Sequence, residues 1–219
     1  MRTRFSEQIS SLNQSLSAMA DLATRAVEHA TVAVVHADLD RAEQVITAQA
    51  SLTSLGLGVE QQVFTILARQ APVAADLRAV ITALHVAVDL ERMGALAVHI
   101  AEVARRHHPG PAVPQQSGHY FLDMGRTAQA MAATTSEILL THDPDRAAQL
   151  ARDDDTINDL HRHLFTALTE QQWPHGITGA INTTLLSRYY ERFADHTVLI
   201  GQRIIFHATG TRPPTPTAQ

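Results

Sequence analysis

The chain contains no cysteine and no lysine. The first absence excludes disulfides, thiolate zinc sites and cysteine nucleophiles, so any bound metal must take oxygen or imidazole ligands. The second leaves 17 cationic residues, all arginine, against 22 acidic ones and a formal net charge of -5. No basic run offers a footprint for a phosphate backbone, and direct nucleic-acid binding is not expected. Long apolar runs are also missing: nothing approaches the roughly 18 consecutive apolar residues of a membrane span. The N-terminus, Met1-Arg2-Thr3-Arg4-Phe5-Ser6-Glu7, lacks the apolar core of a signal peptide. A cytoplasmic protein, touching a membrane only indirectly, is the expectation.

Enzymatic signatures are absent too. The sequence holds no P-loop, no dinucleotide-binding glycine pattern, no His-Glu-x-x-His and no Glu-x-x-His of the di-iron carboxylate bundles. Neither a catalytic residue nor an organic cofactor is assigned, and the chain is expected not to be an enzyme.

What is present is helical periodicity. Between Phe5 and His36 there is neither Pro nor Gly, and Ile9, Leu12, Leu16 and Met19 recur at three- and four-residue spacing. Asp38-Leu39-Asp40 supplies a turn and an N-cap, after which a second helix runs to about Gln70. Gly56 and Gly58 should weaken or bend it, each costing ~1 kcal/mol relative to Ala. Pro72 suits the first turn of a third helix ending near Arg106. After a Pro/Gly-rich stretch, a fourth helix spans about His119 to Thr141. Asp143-Pro144 caps a fifth, which Trp173-Pro174-His175-Gly176 breaks. A sixth spans about Ile177 to Ala208, with Gly210 as its C-cap.

Helices of about 30 residues are about 45 Å long and bury their apolar stripes only by lateral bundling. The expected fold class is therefore all-α. The halves repeat: Leu90-Glu91-Arg92-Met93 matches Tyr190-Glu191-Arg192-Phe193 at an offset of 191 − 91 = 100, and Ala42-Glu43-Gln44-Val45 matches Ala147-Ala148-Gln149-Leu150 at 147 − 42 = 105. The organisation reads as a three-helix unit over 1–107, a Pro/Gly linker over 108–118, a second three-helix unit over 119–210 and a disordered tail over 211–219. Each unit is too thin to bury its faces alone and should pack against the other.

Chemistry-bearing residues gather in the second half. Glu191 and Asp195 are four apart on the sixth helix, and Asp154 with Asn158 and Asp155 with Asp159 are four apart on the fifth, so each pair shares a helix face. These faces read either as a solvated, salt-bridged acidic surface or, if the two helices bring them together, as an oxygen-rich site for Mg, Mn, Fe or, with His161, Zn. The first half keeps Glu91 but has Ala95 in the place of Asp195, and Gln49 and Thr53 where the second half has Asp154 and Asn158. His85 and His99 read as core or rim residues, and His107-His108 as a helix end.

Two segments resemble the signatures of the PhoU family. Ala71-Pro72-Val73-Ala74-Ala75-Asp76-Leu77-Arg78 followed by Asp89-Leu90-Glu91-Arg92-Met93-Gly94 is similar to the first, and Arg188-Tyr189-Tyr190-Glu191-Arg192-Phe193-Ala194-Asp195-His196, with the acidic element Asp154 to Asn158 before it, is similar to the second. The resemblance implies two tandem three-helix bundles and a homodimer. It also implies a negative regulator of phosphate uptake and phosphate-starvation signalling, acting as an adaptor between the ATPase subunit of a phosphate-specific ABC transporter and a sensor histidine kinase. It further implies a metal site on Glu191, Asp195, Asp154, Asp155, Asn158 and Asp159, the metal being Fe, Mn, Mg or Zn. Glu91 and Glu60 are what remains of a first-repeat equivalent. The alternative is a helical protein that binds or buffers divalent cations.

Overall fold

The computed structural model describes residues 2–169 and 174–211, so the expected tail beyond Thr211 and Trp173 of the expected break lie outside the described residues. Six long helices form, and no strand occurs among the described residues: α1 (Arg2–His36), α2 (Leu39–Gln70), α3 (Ala74–His107), α4 (Gly118–Thr141), α5 (Pro144–Thr169) and α6 (Gly176–Thr209). The all-α class and the duplicated bundle are as the periodicity predicts.

Local chemistry sets the boundaries. Ala37 and His142 both take left-handed backbone, φ 53° and 55°, immediately before Asp38 and Asp143. Each aspartate then accepts a backbone N–H of the next helix, Asp38 Oδ1 from Arg41 N at 3.0 Å and Asp143 Oδ1 from Asp145 N and Arg146 N at 2.9 and 3.1 Å. The same turn is thus built twice, 105 residues apart (142 − 37), at the offset of the sequence repeat. Gly210, at φ 74°, ends α6 with its N–H on Phe206 O.

One expectation needs correction. Pro72 is not in the first turn of α3: Ala71 reverses the chain at φ 44°, Val73 is the extended N-cap, and the helix begins at Ala74. As expected, α2 runs through its glycines as one helix, Leu39–Gln70; Gly56 is a buried contact where a Cβ would stand 1.7 Å from Glu91 Oε1, and the absent side chain makes room for that carboxylate. The 108–118 linker is packed against the helices. Ala112 and Val113 are buried, Gln115–Ser117 forms a 3-10 turn, and Asn182 Nδ2 donates to Ala112 O at 3.1 Å. His107 joins this tie, accepting from Asn182 Nδ2 at 2.9 Å, while His108 Nδ1 reaches Ala37 O at 3.1 Å. The two histidines end a helix, as expected, and also anchor the crossover.

Packing joins the repeats more intimately than two stacked units. Within the repeats α1 packs on α3 and α4 on α6; between them α1 packs on α4 and α3 on α6; α2 and α5 cover the outside. Ser17 meets Ser136 and Asn13 meets His142, so α1 and α4 are antiparallel; Asp89 meets Arg203 and His107 meets Asn182, so α3 and α6 are too. Each central helix lies antiparallel on its own repeat counterpart, which is the arrangement a local twofold axis across the helices produces. The core on that axis holds Leu90, Met93, Met124, Met131, Phe193 and Tyr190, all buried. Gly125 lets α4 close on α1, since a Cβ there would meet Thr31 at 2.4 Å, and Thr31 Oγ1 takes the hydrogen bond of the buried Tyr190 hydroxyl at 2.8 Å.

Candidate cation site

α5 buries Ala147, Leu150, Ile157 and Leu164 against its neighbours. Asp154 lies on this same face, one helical turn before Asn158, which donates Nδ2 to Asp154 Oδ2 at 2.8 Å. Its other oxygen, Oδ1, is buried without a hydrogen-bond partner. Asp195 and Glu191 on α6 look toward it. Burial first, and then the charge of Asp195 with smaller contributions from Asp155 and Glu191, push the Asp154 carboxyl up to about 6, against the pull of Asn158. The Asp195 carboxyl is also raised, by burial and then by Glu191, although Arg192, Arg188 and His196 oppose the shift.

The six residues named from sequence therefore divide. Asp154, Asn158, Glu191 and Asp195 gather in the α5–α6 groove. Asp155 and Asp159 are exposed on the outer side of α5, and Asp159 is ion-paired with Arg162. Glu191, largely buried, is ion-paired with Arg188. His161 Nδ1 lies 3.0 Å from Ser187 Oγ across the groove. Among the described residues no three His, Asp or Glu side chains stand close enough to enclose an ion in this arrangement. In donor chemistry the groove nevertheless fits a hard cation: oxygen ligands on two helices, raised carboxyls, and one buried oxygen lacking any donor.

The first repeat offers less. Glu91 rests over Gly56, its carboxyl raised by burial and then by Glu60, and Ala95 adds nothing. His85 and His99 are exposed rim residues, His99 stacking on Tyr189 with ring centroids 5.3 Å apart.

Sequence reasoning missed the polar centre between the repeats. Asp89 is buried at 5% exposure on α3, accepting from His196 Nδ1 at 3.1 Å and from Arg203 Nε at 2.8 Å, both on α6. A charged residue at core spacing, between Val86 and Met93, was the available signal.

A model of the PhoU domain matches residues 16–104 and again residues 121–204. The chain belongs to the PhoU family. It is 49% identical over 213 residues to the phosphate-specific transport system accessory protein PhoU homolog 2 of Mycobacterium tuberculosis, covering 97% of this chain and 100% of that one. The homolog 1 protein of Mycobacterium leprae is 46% identical, over 97% and 96% of the two chains. PhoU from Pseudomonas aeruginosa superposes with a TM-score of 0.83 at 26% identity, over 94% of this chain and 100% of that one. The Streptococcus pneumoniae phosphate transport system regulatory protein PhoU shares the fold, with a TM-score of 0.85 at 23% identity over 96% and 100% of the chains. The two PhoU domain matches fall on the two repeats, each reaching from its first helix to the end of its third.

Proposed function

We propose that this PhoU-family chain is a cytoplasmic, non-enzymatic accessory of a phosphate-specific transport system. It restrains phosphate uptake and holds starvation signalling off when phosphate is plentiful, by contacting the transporter's ATPase subunit and a sensor histidine kinase, and it works as a homodimer. One observation carries this reading: near-complete mutual coverage at 49% identity with a protein described as an accessory of phosphate-specific transport. That no helix among the described residues is long and apolar enough to cross a membrane is consistent with reaching the transporter from outside the bilayer. Deleting every copy of the gene should raise phosphate uptake and starvation-gene expression in rich phosphate; unchanged expression refutes the assignment.

The acidic groove favours a second element. We infer that Asp154, Glu191 and Asp195 hold Fe, Mn, Mg or Zn, with Asn158 orienting Asp154, Asp155 adding negative charge from the rim, and Asp159 outermost on the same helix. When bound, the cation would supply positive charge beside Asp154 and Asp195, whose carboxyls are raised; the chain's own part is to present oxygens from two helices and to hold Arg188 on Glu191. Stoichiometric cation binding without any transporter or kinase contact would favour cation binding or buffering as the primary role.

A further inference from the structure

Two polar groups at one end of the bundle lack the partner that burial demands. Among the arginines whose side chains are described, only Arg41, Arg78 and Arg203 are not exposed. Arg203 is ion-paired with Asp89, and Arg41 Nη1 donates to His29 Nε2 at 2.8 Å. Arg78 has neither, and its Nε is buried with no hydrogen-bond partner. His207 Nδ1 is in the same condition. The two are neighbours: the charge of Arg78 acts on His207, and its guanidinium lies beside Gly210, where a Cβ would stand 3.8 Å from Cζ and Nη2.

At this end α1 and α3 begin and α4 and α6 finish. A cavity of about 20 Å³ opens between the four helices, with Asn13, Thr82, His142 and His207 as its polar lining. That is room for about one oxygen atom. Asn13 Nδ2 lies 3.2 Å from His142 Nε2, and the His142 and His207 ring centroids are 4.9 Å apart. The opposite end of the bundle shows what such a slot takes. Through the repeat His207 corresponds to His107 and Thr82 to Asn182, since 207 − 107 and 182 − 82 both equal 100. There Asn182 Nδ2 donates to His107 Nε2 and to Ala112 O, so the 108–118 linker supplies an oxygen acceptor. At the Arg78 end no described residue supplies one to Arg78 Nε.

Charge selects the missing partner. Burial first, and then the charges of His142 and Arg78, lower the His207 imidazole from its ordinary value, and no carboxylate contributes. A cation would meet Arg78 and be repelled. A water satisfies Nδ1 but leaves the half-buried guanidinium uncompensated. The helix ends oppose one another, two N-termini against two C-termini, so Arg78 sets the sign. An oxyanion answers both needs, because one oxygen accepts from His207 while others accept from the guanidinium fork.

We propose that Arg78 and His207, with His142 and Asn13 behind them, form a binding site for a small oxyanion such as inorganic phosphate or sulfate. The site stands on these donors and not on the accessory role, and it lies about 12 residues, or about 18 Å along α6, from Asp195 of the acidic groove. Full-length chain in chelator is titrated with phosphate and, separately, with sulfate, against chloride at matched ionic strength. Histidine ring signals are followed by nuclear magnetic resonance, those of His142 and His207 being assigned from His→Gln variants. Phosphate, sulfate or both should shift the two signals saturably where chloride does not; phosphate alone narrows the ligand to phosphate, and both assign the class. Arg78→Met keeps the aliphatic stem and removes the charge, and should weaken binding about tenfold or more, as loss of a charge-assisted hydrogen bond does. Arg126→Met should leave binding unchanged, because that arginine is exposed, paired with Asp123 and about 16 residues from His142 along α4. Where Arg78→Met does not fold, Arg78→Lys and His207→Gln replace it and should each weaken binding. An equal response to chloride, or undiminished oxyanion binding by these variants, overturns the proposal and leaves Arg78 as a cation beside the C-terminus of α6; the accessory role stands in either case.

Discussion

Asp154→Asn tests the electrostatics of the groove. The Asp154 carboxyl is raised from 3.8 to about 6, so folding favours its protonated form. A carboxyl raised on folding contributes stability that is fully present below the unfolded value and is lost as pH rises through the folded value. A shift of about two units has a ceiling near ~3 kcal/mol, which partial exposure to solvent reduces to about 1–2 kcal/mol. In chelator at pH 7.5 the wild type therefore carries that penalty and the asparagine variant does not. At about 2–4 °C per kcal/mol for a chain of this size, the variant should melt about 2–8 °C higher at pH 7.5 and converge with the wild type near pH 4. Saturating Mn or Mg should reverse the order at pH 7.5, raising the wild type by about 2.7 kcal/mol at a hundredfold excess over the dissociation constant and leaving the variant unmoved. Differential scanning calorimetry across pH reads both arms. Equal melting temperatures in chelator from pH 4 to 7.5 would refute the buried-carboxylate argument, and an unmoved wild type with Fe, Mn, Mg and Zn would refute the cation site.

Asp89→Ala should destabilise the fold by about 2–4 kcal/mol in urea titration, because it strips Arg203 and His196 of their shared acceptor inside the repeat interface. Tyr190→Phe should cost about 1 kcal/mol by removing the bond to Thr31. Two glycines should respond with opposite sign. Gly201→Ala drives a Cβ to 2.8 Å from the backbone oxygen of Ala147, which cannot yield, and should cost about 1–3 kcal/mol. Gly56→Ala meets only the flexible end of Glu91, which can swing into solvent, so the gain in helix propensity should leave the variant as stable as wild type or up to about 1 kcal/mol more stable. Comparable losses in both glycine variants would show that Glu91 is held where it lies.

Helix existence, the paired aspartate caps and the duplication were legible because each rests on local chemistry: periodicity, cap residues and a constant offset. Placement of Asp154 was legible in part. It falls at core spacing between Leu150 and Ile157, whereas Asp155 and Asp159 are turned away around the helix, and weighing the acidic run by helical phase separates them. The contacts of Gly56 with Glu91 and of Asp89 with α6 were not legible, because each depends on which helix lies opposite. Spacing along one helix carries no information about a partner on another, whether 35 positions away, as Glu91 is from Gly56, or over 100, as His196 and Arg203 are from Asp89. The same limit explains the 108–118 segment: its Pro and Gly content correctly ends helical structure, but packing of Ala112 and Val113 is decided by α6 arriving alongside.

The two repeats also resolve the same electrostatic problem differently. Both keep a glutamate at the corresponding position, Glu91 and Glu191, in the groove between the second and third helices of the repeat. One turn earlier stands Arg188 in the second repeat and Val88 in the first, where the same offset of 100 places them. Glu191 is therefore ion-paired, while Glu91 has Glu60 beside it and only Arg92 in opposition, and its carboxyl is raised. The first groove relieves its buried charge by moving toward protonation and by the space over Gly56. In the second groove Arg188 neutralises one carboxylate and leaves Asp154 and Asp195 facing each other, both raised. Val88, standing where the second repeat has Arg188, is exposed on α3. Divergence at a few equivalent positions thus separates the repeats: Val88 in place of Arg188 gives the first exposed apolar surface, and Asp154 and Asp195, where the first has Gln49 and Ala95, give the second its raised carboxyls.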